Sequence, residues 1–333
     1  MKRTAFFILG FILVCGSAFS IDLRPVGRDI STLLEEIGKE TIPYLQQNAL
    51  IGDGMGLAEY SNNTGFYIAV TPAVVLSSGI GKFLDKSDTI FEVVNVGSLM
   101  DSALGESGPL KSLYESDLFP YPFIRLNVGI ALPSNFELNL IFSAFPQFVT
   151  NLFADQIGFT GLTFSRWNAG VRVRKPLVHD KGGFPAISLG VGYTFSNFNF
   201  GIDLPDDFSQ DLSGTPLSVS GAFKINTVLH TFGVDLALSK KLSFFVPFIK
   251  LSSYYQIATY DGKVEDFEAV AGVSRYTDQA DEDPGAKLTL SDLAFLATGG
   301  FELLFGKFAI LASGNYSFDT NSFGFNFGLR IGF

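Results

Sequence analysis

The chain ends in the stretch Phe323-Gly-Phe-Asn-Phe-Gly-Leu-Arg-Ile-Gly-Phe333, in which a large apolar residue stands at every second position. Side chains alternate across a β-strand with period two, so one face of this strand is apolar and the other carries Gly, Asn and Arg. In a membrane strand the apolar face contacts lipid and the polar face lines a lumen. The stretch therefore predicts one strand of a transmembrane β-barrel.

The same stretch resembles the C-terminal signature of bacterial outer-membrane barrels, which end in Phe after alternating apolar residues. By this resemblance the assembly signal consists of Phe327, Leu329, Ile331 and Phe333. The partners that it implies are the barrel assembly machinery and outer-membrane lipid, with lipopolysaccharide or an equivalent.

The first twenty residues predict export by a cleaved signal peptide. Lys2 and Arg3 precede an apolar run, and Ala18 and Ser20 are small residues at the spacing that signal peptidase recognises. The run is about half the ~20 residues of a spanning helix. We expect cleavage after Ser20, with a lipidated Cys15 as the alternative. Cleavage there would leave no cysteine, which excludes disulfides and thiol chemistry.

The composition narrows the class of protein further. Hydrophobic residues make up 47% of the chain, yet no apolar run after the first twenty residues reaches the length of a membrane helix. A helical membrane protein is therefore excluded. Removal of Lys2 and Arg3 would leave 21 basic against 33 acidic residues, so a nucleic-acid partner is not expected.

The period-two alternation recurs along the chain and predicts the fold class. About thirteen segments carry it, at 64–77, 89–98, 124–132, 136–142, 167–174, 187–195, 217–226, 231–238, 243–257, 264–274, 290–304, 307–318 and 322–333. Single-chain bacterial barrels have an even number of strands. We therefore predict an all-β membrane protein, a closed antiparallel transmembrane β-barrel of about 12–14 strands, with 14 favoured.

The lengths of the connections predict the orientation of the barrel. A C-terminal strand of this class ends at the periplasmic rim, where turns are short. The predicted periplasmic turns are 133–135, 179–183, 261–262 and 306–307, and the predicted long outer stretches are 100–120, 144–165, 197–214 and 275–287.

The segment before the first strand predicts a short amphipathic helix. Ile30, Leu33, Leu34 and Ile37 recur at helical spacing between charged residues. Gly38 or Pro43 is expected to end the helix, and Gly52–Gly56 to form a flexible connector. The helix would lie in the lumen as a plug or pack as a lid at one rim. The predicted domains are the signal peptide 1–20, this helical segment 21–62 and the barrel 63–333.

Charged residues on the polar strand faces are the candidates for the lumen lining. They are Arg125, Glu137, Arg172, Arg174, Lys224, Asp235, Glu302 and Arg330. A lipid-facing Arg or Lys costs about 2–4 kcal/mol at the midplane, which supports this assignment of faces. The charges form either a ladder of salt bridges that stiffens the barrel or a lining that selects what passes. Arg172 and Arg174, two residues apart, favour a carboxylate or phosphate group.

The sequence offers no catalytic constellation and no metal site. His179 lies in a predicted turn and His230 on an apolar strand face, and no cluster of His and Cys is present. We therefore expect no enzyme, no catalytic residues, no metal and no cofactor.

Two further resemblances are to groups of outer-membrane proteins, the first through the N-terminal region and the second through the layout of the chain. Tyr44, Gly52–Gly56 and the stretch Asn63-Thr64-Gly65-Phe66-Tyr67 resemble a group of uncharacterised outer-membrane barrel proteins whose mature N-termini run helix, Gly-rich turn, aromatic strand start. The helix followed by about fourteen strands is similar to the outer-membrane long-chain fatty-acid transporter family. That resemblance implies an N-terminal hatch and hydrophobic substrates that leave sideways into the membrane.

These observations predict an outer-membrane channel or transporter for small solutes, hydrophobic ones included, with the N-terminal segment as plug. The solute is not specified by the sequence. The alternative is a non-transporting surface barrel that acts in adhesion or envelope structure through its long outer loops.

Overall fold

A closed antiparallel barrel of ten strands forms the body of the molecule. The computed structural model describes residues 21–50, 56–58, 65–77, 119–145, 163–203, 209–212, 215–278 and 282–333. The predicted signal peptide, Cys15 and the segment 89–98 lie outside these residues. The elements are α1 (Arg24–Leu50), β1 (Phe66–Ser77), β2 (Phe119–Leu132), β3 (Phe136–Ala144), β4 (Thr163–Val178), β5 (Ala186–Asp203), β6 (Ser209–Leu212), β7 (Thr215–Ser239), β8 (Phe245–Ala271), β9 (Ser274–Arg275), β10 (Gly285–Phe305), β11 (Phe308–Ser317) and β12 (Ser322–Gly332).

The ring runs in the order β1, β2, β3, β4, β5, β7, β8, β10, β11, β12 and back to β1. The short strands β6 and β9 add to β7 and β8 respectively and are not members of the ring. The predicted closed barrel is thus confirmed, but with ten strands instead of 12–14. Segments 217–226 and 231–238 belong to the single strand β7, and segments 243–257 and 264–274 to β8.

In the sequence, β7 and β8 each look like a pair of strands, because their polar and apolar faces change places part-way along the strand. In β8 the outward side chains Leu251 and Tyr255 are apolar or aromatic, whereas the outward Asp261 and Lys263 are charged. On the inward face polar side chains are followed by apolar and aromatic ones, and the buried Tyr260 there belongs to a hydrophobic cluster. The strand itself continues without interruption through the exchange.

The exchange occurs at the same level on five neighbouring strands. Phe195 of β5 pairs with His230 of β7, His230 pairs with Ile257 of β8, and Ile257 pairs with Ser291 of β10. On β4 the change falls at Trp167. We call the parts of these five strands beyond this row the outer extension. Its outward face is mostly polar and its inward face mostly apolar, as in a water-soluble protein.

On the other side of that row from the outer extension, the outward face forms an apolar belt around the ring. Large side chains such as Leu251 and Phe325, each 54% exposed, make up this belt. Soluble proteins do not expose apolar surface on this scale, whereas lipid tails solvate it. No helix among the described residues is long and apolar enough to cross a membrane. The belt therefore identifies a transmembrane barrel that crosses with its strands.

The first and last strands close the barrel at one end. The Phe333 backbone N–H donates to the Phe66 carbonyl over 2.8 Å, and the two rings stack with centroids 4.6 Å apart. The four residues predicted as the assembly signal face the belt from β12 or directly follow it.

Most of the short turns lie at one end, as predicted, and the opposite end carries the longer connections and the four-residue turn 318–321. Residues 133–135, 179–185, 240–244 and 306–307 make the turns at the end where Phe333 lies, which we call the inner end. The prediction of a turn at 261–262 was wrong. Asp261 and Gly262 lie within β8, because Gly262 leaves the space that the Tyr260 side chain occupies: a Cβ there would be 2.6 Å from the Tyr260 hydroxyl.

The helix α1 lies inside the outer extension. Its buried side chains form one cluster with the inward side chains of β7 and β8. The expectation that Gly38 or Pro43 ends the helix was wrong. At Gly38 the missing side chain allows close packing, since a Cβ would lie 2.9 Å from Leu288 and 3.0 Å from Tyr260. This packing favours a helix that continues to Leu50.

A charge in the apolar belt should destabilise the barrel far more than the same charge in the outer extension. We expect Leu251→Lys to lower the free energy of unfolding by about 2–4 kcal/mol, since Leu251 lies near the middle of the belt. Thr259→Lys, outward on the same strand but beyond Ile257, should change it by less than about 0.5 kcal/mol. Urea unfolding in lipid vesicles measures both. Equal effects of the two substitutions would contradict the position of the belt.

Two inner turns are joined by a pH-sensitive contact. The Lys240 ammonium donates to Asp180, and this bond, with the Lys241 backbone N–H, lowers the pKa of Asp180. A carboxyl whose pKa is lowered by folding stabilises the protein above its unfolded pKa of about 3.9, and the contribution is lost as the pH falls through the folded value. We expect Asp180→Asn to destabilise by no more than about 1 kcal/mol at pH 7. The difference in the free energy of unfolding between this variant and the parent protein should shrink towards pH 3. A difference that stays constant with pH would contradict the role of the Asp180 carboxylate.

Candidate functional site: the barrel lumen

The lumen within the belt is the candidate site, because buried polar and charged side chains collect there. Strand alternation directs Arg125, Arg172, Asp235 and Lys250 inward from β2, β4, β7 and β8. All four are buried. Buried charges are tolerated when they are paired and hydrogen-bonded, so their partners decide what this lumen can do.

Seven of the eight charged residues predicted for the lumen face inward and are buried. They are Arg125, Glu137, Arg172, Arg174, Asp235, Glu302 and Arg330. The prediction was wrong for Lys224, whose side chain is 53% exposed and pairs with Glu265 outside the barrel. Lys224 lies in the outer extension, where the polar face points outward. Hydrogen bonds from Lys224 and Lys263 lower the pKa of Glu265 to about 2.

A hydrogen-bonded group at the inner end centres on Tyr67. The Tyr67 hydroxyl donates to the Glu137 carboxylate over 2.9 Å and accepts from the Asn139 amide over 2.6 Å. Arg174 lies 3.8 Å from the other carboxylate oxygen of Glu137. The Arg330 guanidinium lies over the Tyr67 ring, 5.5 Å from its centroid. These contacts link the buried polar groups to one another, which fits a structural role at this end.

Residues 56–58 are held inside the same end by the chain's own polar groups. The backbone N–H groups of Gly56 and Leu57 donate to one Glu302 oxygen over 3.1 and 3.2 Å, while the other oxygen accepts from Arg330. The Leu57 carbonyl accepts from Arg174 over 2.7 Å, and the Ala58 N–H donates to the Ser239 hydroxyl over 2.8 Å. The end of the segment expected to be a flexible connector is therefore fixed.

A polar cavity remains between this inner seal and α1. Its lining includes Arg125, Ile141, Arg172, Gly192, Thr194, Thr231, Gly233, Asp235 and Tyr254. Arg172 and Asp235 form a buried ion pair across it. Two guanidinium groups face one carboxylate in the described lining, so its charge balance is positive. Such a lining can hold water or a small polar or anionic molecule.

The predicted plug residues lie in the outer half of the lumen. Ile30, Leu33 and Leu34 are buried in the cluster of α1 with the outer extension, and Ile37 packs against it partly buried. This half of the lumen is apolar and the half within the belt is polar. The N-terminal segment thus presents apolar side chains to the apolar half and backbone polar groups to the polar half.

Sequence reasoning missed several inward polar residues. Arg166 lies two residues before Asn168 and faces inward with it, 5.5 Å from the Phe123 ring centroid. Extension of the 167–174 segment by one residue would have found it. Lys250, Ser252 and the fully buried Gln256 share the inward face of β8. They were hidden because Tyr254 and Ala258 stand among them and weaken the alternation.

The histidines lie outside the lumen. His230 faces outward at the polarity exchange, where its Nδ1 lies 2.8 Å from the Tyr193 hydroxyl, and Phe195 packs edge-on against its ring. Aromatic side chains at this level are typical of a membrane interface. Among the described residues, no three His, Cys, Asp or Glu side chains are grouped so that they could hold a metal ion.

Comparison with known proteins gives likeness of structure without likeness of sequence. No family model and no curated protein matches the chain. The translocator domain of autotransporter NalP from Neisseria meningitidis is 11% identical, with 90% of this chain and 98% of that chain covered and a TM-score of 0.42. The outer membrane protease OmpT from Escherichia coli is 8% identical, with 82% and 97% covered and a TM-score of 0.41.

The likeness to transporters is looser. The toluene transporter TodX from Pseudomonas putida is 9% identical, with 85% of this chain and 92% of that chain covered and a TM-score of 0.26. The expected similarity to fatty-acid transporters is supported only to this extent. The expectation that the chain is not an enzyme was wrong as a conclusion from architecture, since the similar structures include a protease. Outer-membrane barrels therefore occur with catalytic and with transport roles.

Glu302 should be the residue on which the inner seal depends most. Its side chain is 0% exposed and joins Arg330 to residues 56–58. We expect Glu302→Gln to lower the free energy of unfolding by about 3–5 kcal/mol, because it removes the carboxylate charge that pairs with the buried Arg330 guanidinium. Glu265→Gln, a matched control in an exposed ion cluster, should leave stability nearly unchanged. Chemical unfolding and protease cleavage near residue 57 measure the effect. Unchanged stability of the Glu302 variant would refute the assignment.

Proposed function

We propose that the chain is a surface-exposed outer-membrane barrel that is held closed by its own N-terminal segment. Its function, in adhesion or envelope structure, lies in the outer extension and the outer loops. Of the two functions expected from the sequence, the geometry favours this one over solute transport. The observation that carries the proposal is the packing of α1 in the lumen.

The free energy of that packing decides whether α1 leaves the lumen often enough for solutes to pass. Six apolar side chains of α1 are buried, namely Val26, Ile30, Leu33, Leu34, Ile42 and Leu45, together with Leu23 directly before the helix. Burial of each such side chain is worth about 1.5–3 kcal/mol, so withdrawal of the helix costs on the order of 10 kcal/mol or more. Since about 1.4 kcal/mol is a factor of ten, roughly one molecule in ten million would be open at rest.

Transport of small solutes remains the second candidate, and the polar cavity favours it. Arg125, Arg172 and Asp235 line this cavity within the belt. Polar walls of this kind favour small polar or anionic solutes over hydrophobic ones. A channel would require a partner or a solute whose binding energy displaces the N-terminal segment, because thermal motion does not supply it.

Conductance in planar lipid bilayers separates the two candidates. We expect the purified protein to be silent, because α1 closes the lumen. Leu33→Ala combined with Leu34→Ala should give irregular openings, since weaker packing releases the helix. The matched control is Leu251→Ala combined with Leu329→Ala, two equal changes on the lipid face, which should stay silent.

Regular channel steps of the unaltered protein would contradict the proposal and favour transport. In that case Arg172→Gln should reduce the preference for anions, measured as a shift of the reversal potential in a salt gradient. Such a shift would place the permeating ions in the described cavity.

A further inference from the structure

The N-terminal segment makes contacts at both ends of the barrel, and these contacts give it a direction. At one end lie residues that precede α1, and at the other end lie residues that follow it. Hydrogen bonds at the two ends therefore show which end of the barrel holds the start of the segment and which end holds its last residues.

The start of the segment is at the outer end. The Ile21 backbone N–H donates to the Ser274 hydroxyl over 2.9 Å, and Ser274 opens the two-residue strand β9 beyond the end of β8. One turn into α1, a Cβ on Gly27 would lie 2.3 Å from the Tyr276 hydroxyl, so helix and loop are in close contact there. Further along, the Ser31 hydroxyl accepts from the Gly285 N–H over 3.2 Å.

The end of the segment is at the inner end. Gly56, Leu57 and Ala58 bind Glu302, Arg174 and Ser239, all of which lie close to the short turns. Strand β1 then begins at Phe66, beside Phe333. Between the two ends, Gly38 packs against Tyr260 on the inward face of β8, which places the helix inside the ring.

The side of the membrane follows from the connections. Turns of two to seven residues are typical of the periplasmic end of bacterial barrels, and longer connections of the cell surface. The connection 272–284, which carries Ser274 and Tyr276, is at the long-loop end.

We propose that the barrel serves as the passage and the anchor for its own N-terminal segment. Residues 21–50 and 56–58 follow the lumen from the outer face to the inner face, so Arg24 lies at the cell surface and Ala58 at the periplasmic end. This inference does not depend on adhesion or transport, because it concerns the path of the chain and not what the surface binds.

Cysteine labelling on intact cells tests the direction. In a chain with Cys15→Ser, the variant Arg24→Cys places a thiol at a side chain that is 66% exposed. The reference positions are Val273→Cys at the outer tip, 79% exposed, and Lys181→Cys in an exposed inner turn. The reagent is a maleimide on a polyethylene glycol too large to cross the outer membrane. We expect labelling of the Arg24 and Val273 variants on intact cells, and of the Lys181 variant only after permeabilisation.

Labelling at position 24 only after permeabilisation, with position 273 labelled on intact cells, would overturn the proposal. Labelling at position 181 but not at 273 would overturn it as well, because the barrel would then be inverted. Bilayer conductance is unaffected by either outcome, so failure of this inference and failure of the proposed function are distinguishable.

Engineered disulfides test the path. Ile21→Cys with Ser274→Cys, and Ala58→Cys with Ser239→Cys, each join positions whose backbone N and hydroxyl oxygen are 2.9 and 2.8 Å apart. Both pairs should give the crosslinked band on a non-reducing gel. The matched control, Ile21→Cys with Ser239→Cys, joins positions at opposite ends and should not. A crosslink in the control pair and none in the first pair would mean that the segment runs the other way.

Discussion

The fold depends on one constraint: in lipid every backbone N–H and carbonyl must find a partner within the protein. A sheet with free edges cannot meet it, so β1 has to pair with β12 and the ring has to close. On one side β1 pairs with β2 over its whole length, and on the other side it pairs with β12 at Tyr67–Val70 and Ala73–Leu76. Once the ring is closed, alternation divides the strand side chains into those that point outward and those that point into the lumen, and the lumen becomes a separate compartment.

The outside of this ring contacts two different solvents, lipid and water. The polarity of the inward side chains differs between the two regions. Where lipid covers the outer face, apolar groups point out and Arg172, Asp235 and their neighbours point in. Where water covers it, the apolar groups point in and need a core. Helix α1 supplies that core, so the outer extension and the N-terminal segment stabilise each other. Removal of either would leave apolar surface of the other in water.

Much of the fold follows from the sequence because period-two alternation is a strong signal in a membrane. It predicted β12 with its facing residues and seven of the inward charges. It failed at Lys224 and in the division of β7 and β8, because alternation says which residues share a face but not which solvent that face meets. The path of residues 56–58 could not be predicted, since their contacts are backbone N–H and carbonyl groups that any residue carries. The packing at Gly38 depends on Tyr260, more than 200 positions away.

The length of β8 determines how far the molecule reaches above the bilayer. Its residues beyond the polarity exchange, 259–271, continue for thirteen positions. At about 3.3 Å per residue they extend roughly 43 Å along the strand, or roughly 30 Å in height for a tilt of about 40°. The polar headgroup layer of one leaflet is only about 5–8 Å thick. The tip that carries Ser274 therefore stands well clear of the lipid surface, at a height where large soluble molecules can approach it.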